Sequence, residues 1–226
     1  MIDLQSLCSL PITFNNQKEK LVFGDDLILE STEKIPLKSL IPSLLNKSLI
    51  YPVDVYEEYK NIRHVEHRES LKYEVHYDLM MIPEGLLGVE YIKSHIYFSA
   101  DKCAENITAC VVEVIHGTLT ILLQKNLTCE VPSFYTEVDE GVLIEVKKGE
   151  KAIIPTGYYY TFINTTEQPI IFSIVYRNKS VVDYSKFRRE QGLAYFCIRK
   201  NGRSEIVKNP RYRNIPEGKI GKPVAR

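Results

Sequence analysis

The chain has 226 residues, 44% of them hydrophobic and 26% charged, which is the composition of one well-buried globular domain. Lys plus Arg and Asp plus Glu balance at 29 each, so the charge profile of a nucleic-acid binder or of a protein drawn to anionic membranes is absent. No apolar run reaches the ~18 residues of a membrane span, and Met1–Cys8 lacks a basic region followed by an apolar stretch, so no signal peptide is expected. The five cysteines (Cys8, Cys103, Cys110, Cys129, Cys197) are scattered and form no CxxC pair. That pattern predicts reduced thiols and a cytoplasmic location. The short basic run Lys186–Phe187–Arg188–Arg189 reads as a solvated face.

In chain order, Leu37–Leu49 places apolar residues at Leu40, Ile41, Leu44 and Leu45 with Pro42 near its start, which predicts a short helix. Val53–Arg63 is tyrosine-rich and charged and suits a strand or a loop. From about residue 70 the texture becomes short alternating segments between turn signals: Tyr73–Ile82, Val89–Phe98, a polar loop at Ala100–Ile107, Ala109–Ile115, Thr118–Leu123, Val142–Val146, Ala152–Ile154, Tyr159–Ile163 and Ile170–Tyr176. Strands of this length predict an antiparallel barrel or sandwich, and no amphipathic helix between them suggests a parallel α/β sheet. Asp183–Gly192 predicts a helical turn closed by glycine. Leu193–Arg199 is strand-like, and Asn201-Gly202 is a hairpin signal before a proline-rich tail. The domain expectation is an N-terminal extension over 1–52 packed on a barrel, and a barrel domain with a C-terminal tail over 53–226.

Four stretches carry a more specific signal. Val146-x-x-Gly149, Ile154-Pro155-x-Gly157 and Ile163-Asn164 together outline the second motif of a cupin, a small jelly roll whose tight turns need glycine and proline. The others are Tyr77-Asp78-Leu79-Met80-Met81-Ile82-Pro83-Glu84-Gly85, Gly117-x-x-x-Ile121-Leu122-Leu123-Gln124, and Gly192-Leu-Ala-Tyr-Phe196 followed by Asn209-Pro210-Arg211-Tyr212. In order and spacing they resemble the cupin-type glucose-6-phosphate isomerases of archaea and some bacteria, over roughly residues 53–215. The resemblance implies an all-β cupin (double-stranded β-helix) barrel with a few short helices, mainly at the chain ends. It also implies aldose–ketose isomerisation of glucose 6-phosphate and fructose 6-phosphate in glycolysis and gluconeogenesis, a homodimer, and a divalent metal (iron, manganese, nickel or zinc) on three histidines and a glutamate. Such a metal would polarise the substrate oxygens.

The same alignment shows where the chain departs. The first motif falls on Ser94-His95-Ile96-Tyr97-Phe98-Ser99, so two histidine positions become Tyr97 and Ser99. The glutamate position becomes Cys110 and the last histidine Tyr160. Of the four, Cys110 alone is a candidate ligand, as thiolate. A slip in register would bring His95 nearer, but the pleat is expected to turn it to the other face. No bound metal is therefore expected at these positions. What the resemblance leaves in place is a polar ring for a sugar phosphate: Tyr56 in Val55-Tyr56-Glu57-x-Tyr59, Ser94, Tyr176, and Tyr184 in Asp183-Tyr184. In a chain with 15 tyrosines, rings capping a barrel rim account for the same residues equally well. Tyr158-Tyr159-Tyr160 must alternate, so at least one ring enters the barrel, and Glu113 is expected on the face opposite to Cys110.

His64-x-x-His67 with His76 is a second metal candidate, but its charged surroundings favour surface histidines. There is no Ser-His-Asp order and no glycine-rich phosphate loop. Three readings stay open: an isomerase using other ligands or a metal-free route, a non-catalytic sugar-phosphate-binding or regulatory cupin, and a filled barrel with a structural role. The substitutions favour the second.

Overall fold

Two antiparallel sheets facing one another form the frame of the computed structural model, which describes residues 1–67, 75–99, 110–126, 137–176 and 187–224. The first sheet has six strands in the order Lys151–Ile154, Cys110–His116, Ile170–Tyr176, His76–Ile82, Asp54–Lys60 and Ser31–Pro36. The second has five, in the order Tyr97–Phe98, Tyr159–Ile163, Thr118–Asn126, Val138–Lys147 and Lys219–Gly221, the last pair being parallel. This is the expected all-β jelly roll.

Period two decides what each strand buries. Val112 and Val114, Phe172 and Ile174, and Met80 and Ile82 point between the sheets, where they meet Ile121, Leu123, Ile144, Val146 and Phe162. Their chain neighbours point outward yet are also buried. Leu79, Met81, Ile115 and Ile171 lie under the short strands Ile2–Asp3, Ile12–Asn15 and Lys20–Phe23, through Leu4, Ile12, Phe14 and Leu21. On the other side, Leu122, Leu143, Tyr159 and Ile163 lie under Phe187, Leu193, Tyr195 and Tyr212. Both sheets are thus covered on both faces, which is why Ile121–Leu123 and Ile170–Phe172 are continuous apolar runs. Each such Leu, Ile or Phe stabilises the fold by roughly 1.5–3 kcal/mol.

Tyr159–Ile163 and Ile170–Tyr176 coincide with the expected strands, and Val142–Val146 is the centre of a longer one, Val138–Lys147. Val53–Arg63 resolves to the strand Asp54–Lys60. The expected 37–49 helix is only Leu37–Leu40, continued by a 3-10 turn at Ile41–Ser43 in which Pro42 brings no N–H to an α-helical ladder. Ser31–Pro36, inside the expected N-terminal extension, pairs with Asp54–Lys60 as an edge of the main sheet. Asn201 and Gly202, both at positive φ, close the hairpin of Tyr195–Lys200 and Arg203–Lys208. Of the expected helical turn, Phe187–Glu190 is described, with Gln191 and Gly192 at positive φ after it. The loop expected at Ala100–Ile107 lies outside the described residues.

One expected strand, Val89–Phe98, is broken. It consists of Glu90–Tyr91, a single bridge from Lys93 to Ile163, and Tyr97–Phe98. Between the last two, the Ser94 hydroxyl accepts the Phe162 N–H at 3.0 Å and donates to the His95 carbonyl at 2.8 Å. A side chain thereby replaces part of the backbone ladder.

Candidate functional site

A cavity of about 240 Å3 lies between the two sheets, on the side of their edge strands Ser31–Pro36 and Tyr97–Phe98. Its walls differ in chemistry. The six-stranded sheet supplies Glu33, Glu58, Lys60, Asp78 and Tyr176, and the facing wall is aromatic, made by Tyr97, Tyr160 and Phe162. The placement follows from strand period: Tyr56, Glu58 and Lys60 are two apart on one strand, and Asp78 and Met80 on the next.

The expected metal positions come together at the aromatic wall. Tyr97 pairs with Tyr160 across the strands, and their rings stack at 5.5 Å between centroids. Tyr160 is hydrogen bonded to the Cys110 thiol. Ser99 is buried nearby, its N–H bonded to the Tyr158 carbonyl at 3.0 Å, but neither Ser99 nor Cys110 lines the cavity. Burial pushes the Cys110 thiol up to about 12, against the opposing hydrogen bond from Tyr160, so the thiolate expected as a ligand is not its state at neutral pH. Tyr97 is raised well above the usual phenol value, by burial first and then by Tyr56 and the Glu58 carboxylate to which it is hydrogen bonded. Two phenols, a protonated thiol and a hydroxyl do not fit a divalent ion that selects imidazole, carboxylate or thiolate.

Behind this wall runs a network whose members the sequence reading did not assemble. The Tyr97 hydroxyl donates to Glu58 Oε1 at 2.7 Å, and Tyr56 reaches the same oxygen at 3.2 Å. Tyr56 is also 2.8 Å from His95 Nδ1, whose Nε2 is 3.0 Å from Ser39 Oγ. Lys60 sits 3.3 Å from Glu58 and 2.8 Å from Glu33. Desolvation lowers the His95 pKa, with the Glu58 charge opposing, so the ring is neutral at pH 7. At the other end of the polar wall, Tyr176 donates to Asp78 at 2.6 Å and stacks on His76 at 5.2 Å. Burial raises the Asp78 carboxyl above its ordinary value, with bonds from Tyr176 and the Asn61 N–H opposing.

Of the residues expected at the sugar phosphate, Tyr176 lines the cavity and Tyr184 lies outside the described residues. Tyr56 is buried behind Glu58 and His95 rather than on the surface of the cavity. Ser94 is fully buried and does not line the cavity; its hydroxyl is bonded to Phe162, His95 and Thr161. His95 does line it: the ring expected to turn to the other face reaches the cavity from the break in the strand between Lys93 and Tyr97. Of the alternative metal candidates, His64 is 3.3 Å from Asp26, and His76 is stacked on Tyr176. Among the described residues no group of three or more His, Cys, Asp or Glu side chains could hold a metal ion. Glu113 faces away from Cys110, as expected, and pairs with Lys151 at 3.2 Å. Tyr160 enters the barrel while Tyr159 packs on the outer layer.

Fold and site together define a cupin barrel with a closed aromatic wall and a polar one. The family model described as Glucose-6-phosphate isomerase (GPI) matches residues 42–214, and the chain belongs to that family. Glucose-6-phosphate isomerase of Pyrococcus horikoshii is 26% identical over 162 residues, covering 71% of this chain and 74% of that protein. The protein of the same name from Pyrococcus abyssi is 25% identical over the same coverage. Among solved structures, the coconut allergen cocosin superposes with a TM-score of 0.39 at 14% identity over 67% of this chain and 31% of that one. Vicilin from Capsicum annuum gives 0.40 at 15% identity, over 62% and 34%. The chain thus spans about a third of the length of these two solved chains. No helix among the described residues is long and apolar enough to cross a membrane.

Proposed function

We propose that this chain is a non-catalytic member of its family that binds a sugar phosphate in the barrel without the divalent ion expected there. The observation that carries this is the Tyr97–Tyr160 stack, tied to Glu58 on one side and Cys110 on the other, standing where three histidines and a glutamate are expected. The groups able to move protons are engaged as well. Glu58 is held by two phenols and Lys60, and neutral His95 lies between Tyr56 and Ser39. Isomerisation needs a base free to carry a proton, or a metal-assisted path, between neighbouring sugar carbons. The remaining cavity suits binding: aromatic faces for the C–H surfaces of a sugar, carboxylates and phenols for its hydroxyls. The phosphate would lie at the mouth, where Lys60 and Glu33 are partly exposed. A homodimer in a reducing cytoplasm, poised at the hexose phosphates of glycolysis and gluconeogenesis, completes the reading.

Elemental analysis of the purified chain, a coupled assay for fructose 6-phosphate conversion with and without added manganese, nickel, iron or zinc, and thermal shift with fructose 6-phosphate test it. The expected result is no stoichiometric metal, no turnover and a ligand-dependent rise in Tm. Stoichiometric metal with turnover restores the isomerase reading and overturns this one. No shift with any hexose phosphate leaves only a structural barrel. Sedimentation equilibrium reads the dimer.

A further inference from the structure

Resting on the reading that the cavity holds the sugar end of its ligand, we infer that it is built for a sugar bearing an amine, which Asp78, with the Glu58 carboxylate on the same wall, binds as an ammonium in preference to a hydroxyl. Three carboxylates line the cavity, those of Glu33, Glu58 and Asp78, and the lysine among them, Lys60, is placed between the first two. Asp78 has no lysine, arginine or histidine nitrogen within 4 Å among the described residues. It accepts one bond at each oxygen, from the Asn61 N–H at 2.7 Å and the Tyr176 hydroxyl at 2.6 Å. A carboxylate oxygen has two acceptor sites, so each keeps capacity for a donor arriving from the cavity. Asp78 and Glu58 also act on one another: the Glu58 charge adds to burial in raising the Asp78 carboxyl, with His76 and the two hydrogen bonds opposing.

A ligand group entering here has three options. An anion is repelled by both carboxylates. A hydroxyl forms a neutral-donor bond and leaves the repulsion between the acids in place. An ammonium forms shorter, stronger charge-assisted bonds and relieves that repulsion. The facing wall of Tyr97, Tyr160 and Phe162 brings no positive charge to compete for these carboxylates. Wall chemistry and charge therefore favour one ligand class, an amino sugar with its phosphate kept outside at Lys60.

The test is isothermal titration of the full chain, at one fixed salt concentration, with glucose, glucosamine, glucose 6-phosphate and glucosamine 6-phosphate. The inference expects glucosamine 6-phosphate to bind at least ~10-fold more tightly than glucose 6-phosphate, a ratio that one charge-assisted bond supports. Asp78→Asn should bring that ratio towards one. Equal affinities of the two phosphates for the wild-type chain overturn the amine preference while leaving the sugar-phosphate reading in place. If none of the four binds, the sugar reading itself fails and takes the inference with it. Should Asp78→Asn not fold, as judged by circular dichroism, the wild-type ratio still decides.

Discussion

Tyr97 joins two roles in one side chain: its ring fills the barrel centre against Tyr160, and its hydroxyl satisfies Glu58. The neighbouring His95 is held neutral by desolvation, and that has a measurable sign. Its folded pKa lies below the ordinary value near 6.5, so between the two values the unfolded chain binds more protons and stability is lost as pH falls through that window. Urea denaturation of wild type and His95→Gln should therefore show the wild-type advantage shrinking from about pH 7.5 to about pH 5.5. A gap that is constant or widens towards acid would contradict a buried neutral imidazole. The thiols make a second prediction. Cys110 and Cys197, both buried and both pushed up to about 12, should resist iodoacetamide in the native chain, whereas half-buried Cys8 is alkylated before either of them, as read by peptide mass mapping. Fast native labelling of Cys110 would reopen it as a ligand. At this scale the sequence was only partly legible. Strand period put at least one ring of Tyr158-Tyr159-Tyr160 inward and Glu113 opposite to Cys110, but Glu58, Asp78 and His95 escaped, because a polar residue on a core face gains its meaning from the facing strand. The spacing of Glu58 from Tyr56, and of His95 from Tyr97, was the available signal.

Elements were more legible where turns are chemically explicit. Gly117 closes the turn between Cys110–His116 and Thr118–Asn126 at φ +79°, and a Cβ there would meet Ile170 Cγ2 at 2.8 Å and the Pro169 carbonyl at 2.9 Å. Gly157 has a similar φ of +84°, with nothing within 4 Å of such a Cβ. The two separate conformational strain from crowding. Gly157→Ala should cost about 1 kcal/mol and Gly117→Ala roughly 2–4 kcal/mol in chemical denaturation, and equal costs would show that Pro169 and Ile170 yield freely. The elements that were missed or merged share a different cause. The strands Ile2–Asp3, Ile12–Asn15 and Lys20–Phe23 are too short for periodicity to speak, and they exist to cover Leu79, Met81 and Ile171. Val89–Phe98 reads as one strand, yet the bonds of Ser94 divide it, and that break positions His95 and Tyr97.

Over the whole molecule, covering layers bury the outer face of each sheet, so much of the frame is held by packing outside the barrel's centre. Even the Asn209–Tyr212 segment serves this frame: Asn209 donates to the Glu190 and Leu193 carbonyls, and the Tyr212 hydroxyl to that of Gly192. Such a frame predicts that the centre can be exchanged. Tyr97, Tyr160 and Cys110 are already adjacent, and Ser99 is two residues beyond Tyr97 on the same side of its strand. The combined variant Tyr97→His, Ser99→His, Cys110→Glu, Tyr160→His replaces a satisfied, stacked centre with imidazoles and a buried carboxylate. Without metal it should be less stable than wild type by several kcal/mol, from lost ring packing and an uncompensated buried charge. Added manganese or nickel should raise its Tm and bind at one ion per chain by elemental analysis, while leaving the wild-type Tm unchanged. If the variant keeps the wild-type circular dichroism and still takes up no metal, the four positions do not share a coordination site, and the case that this barrel exchanged a metal centre for a tyrosine pair falls.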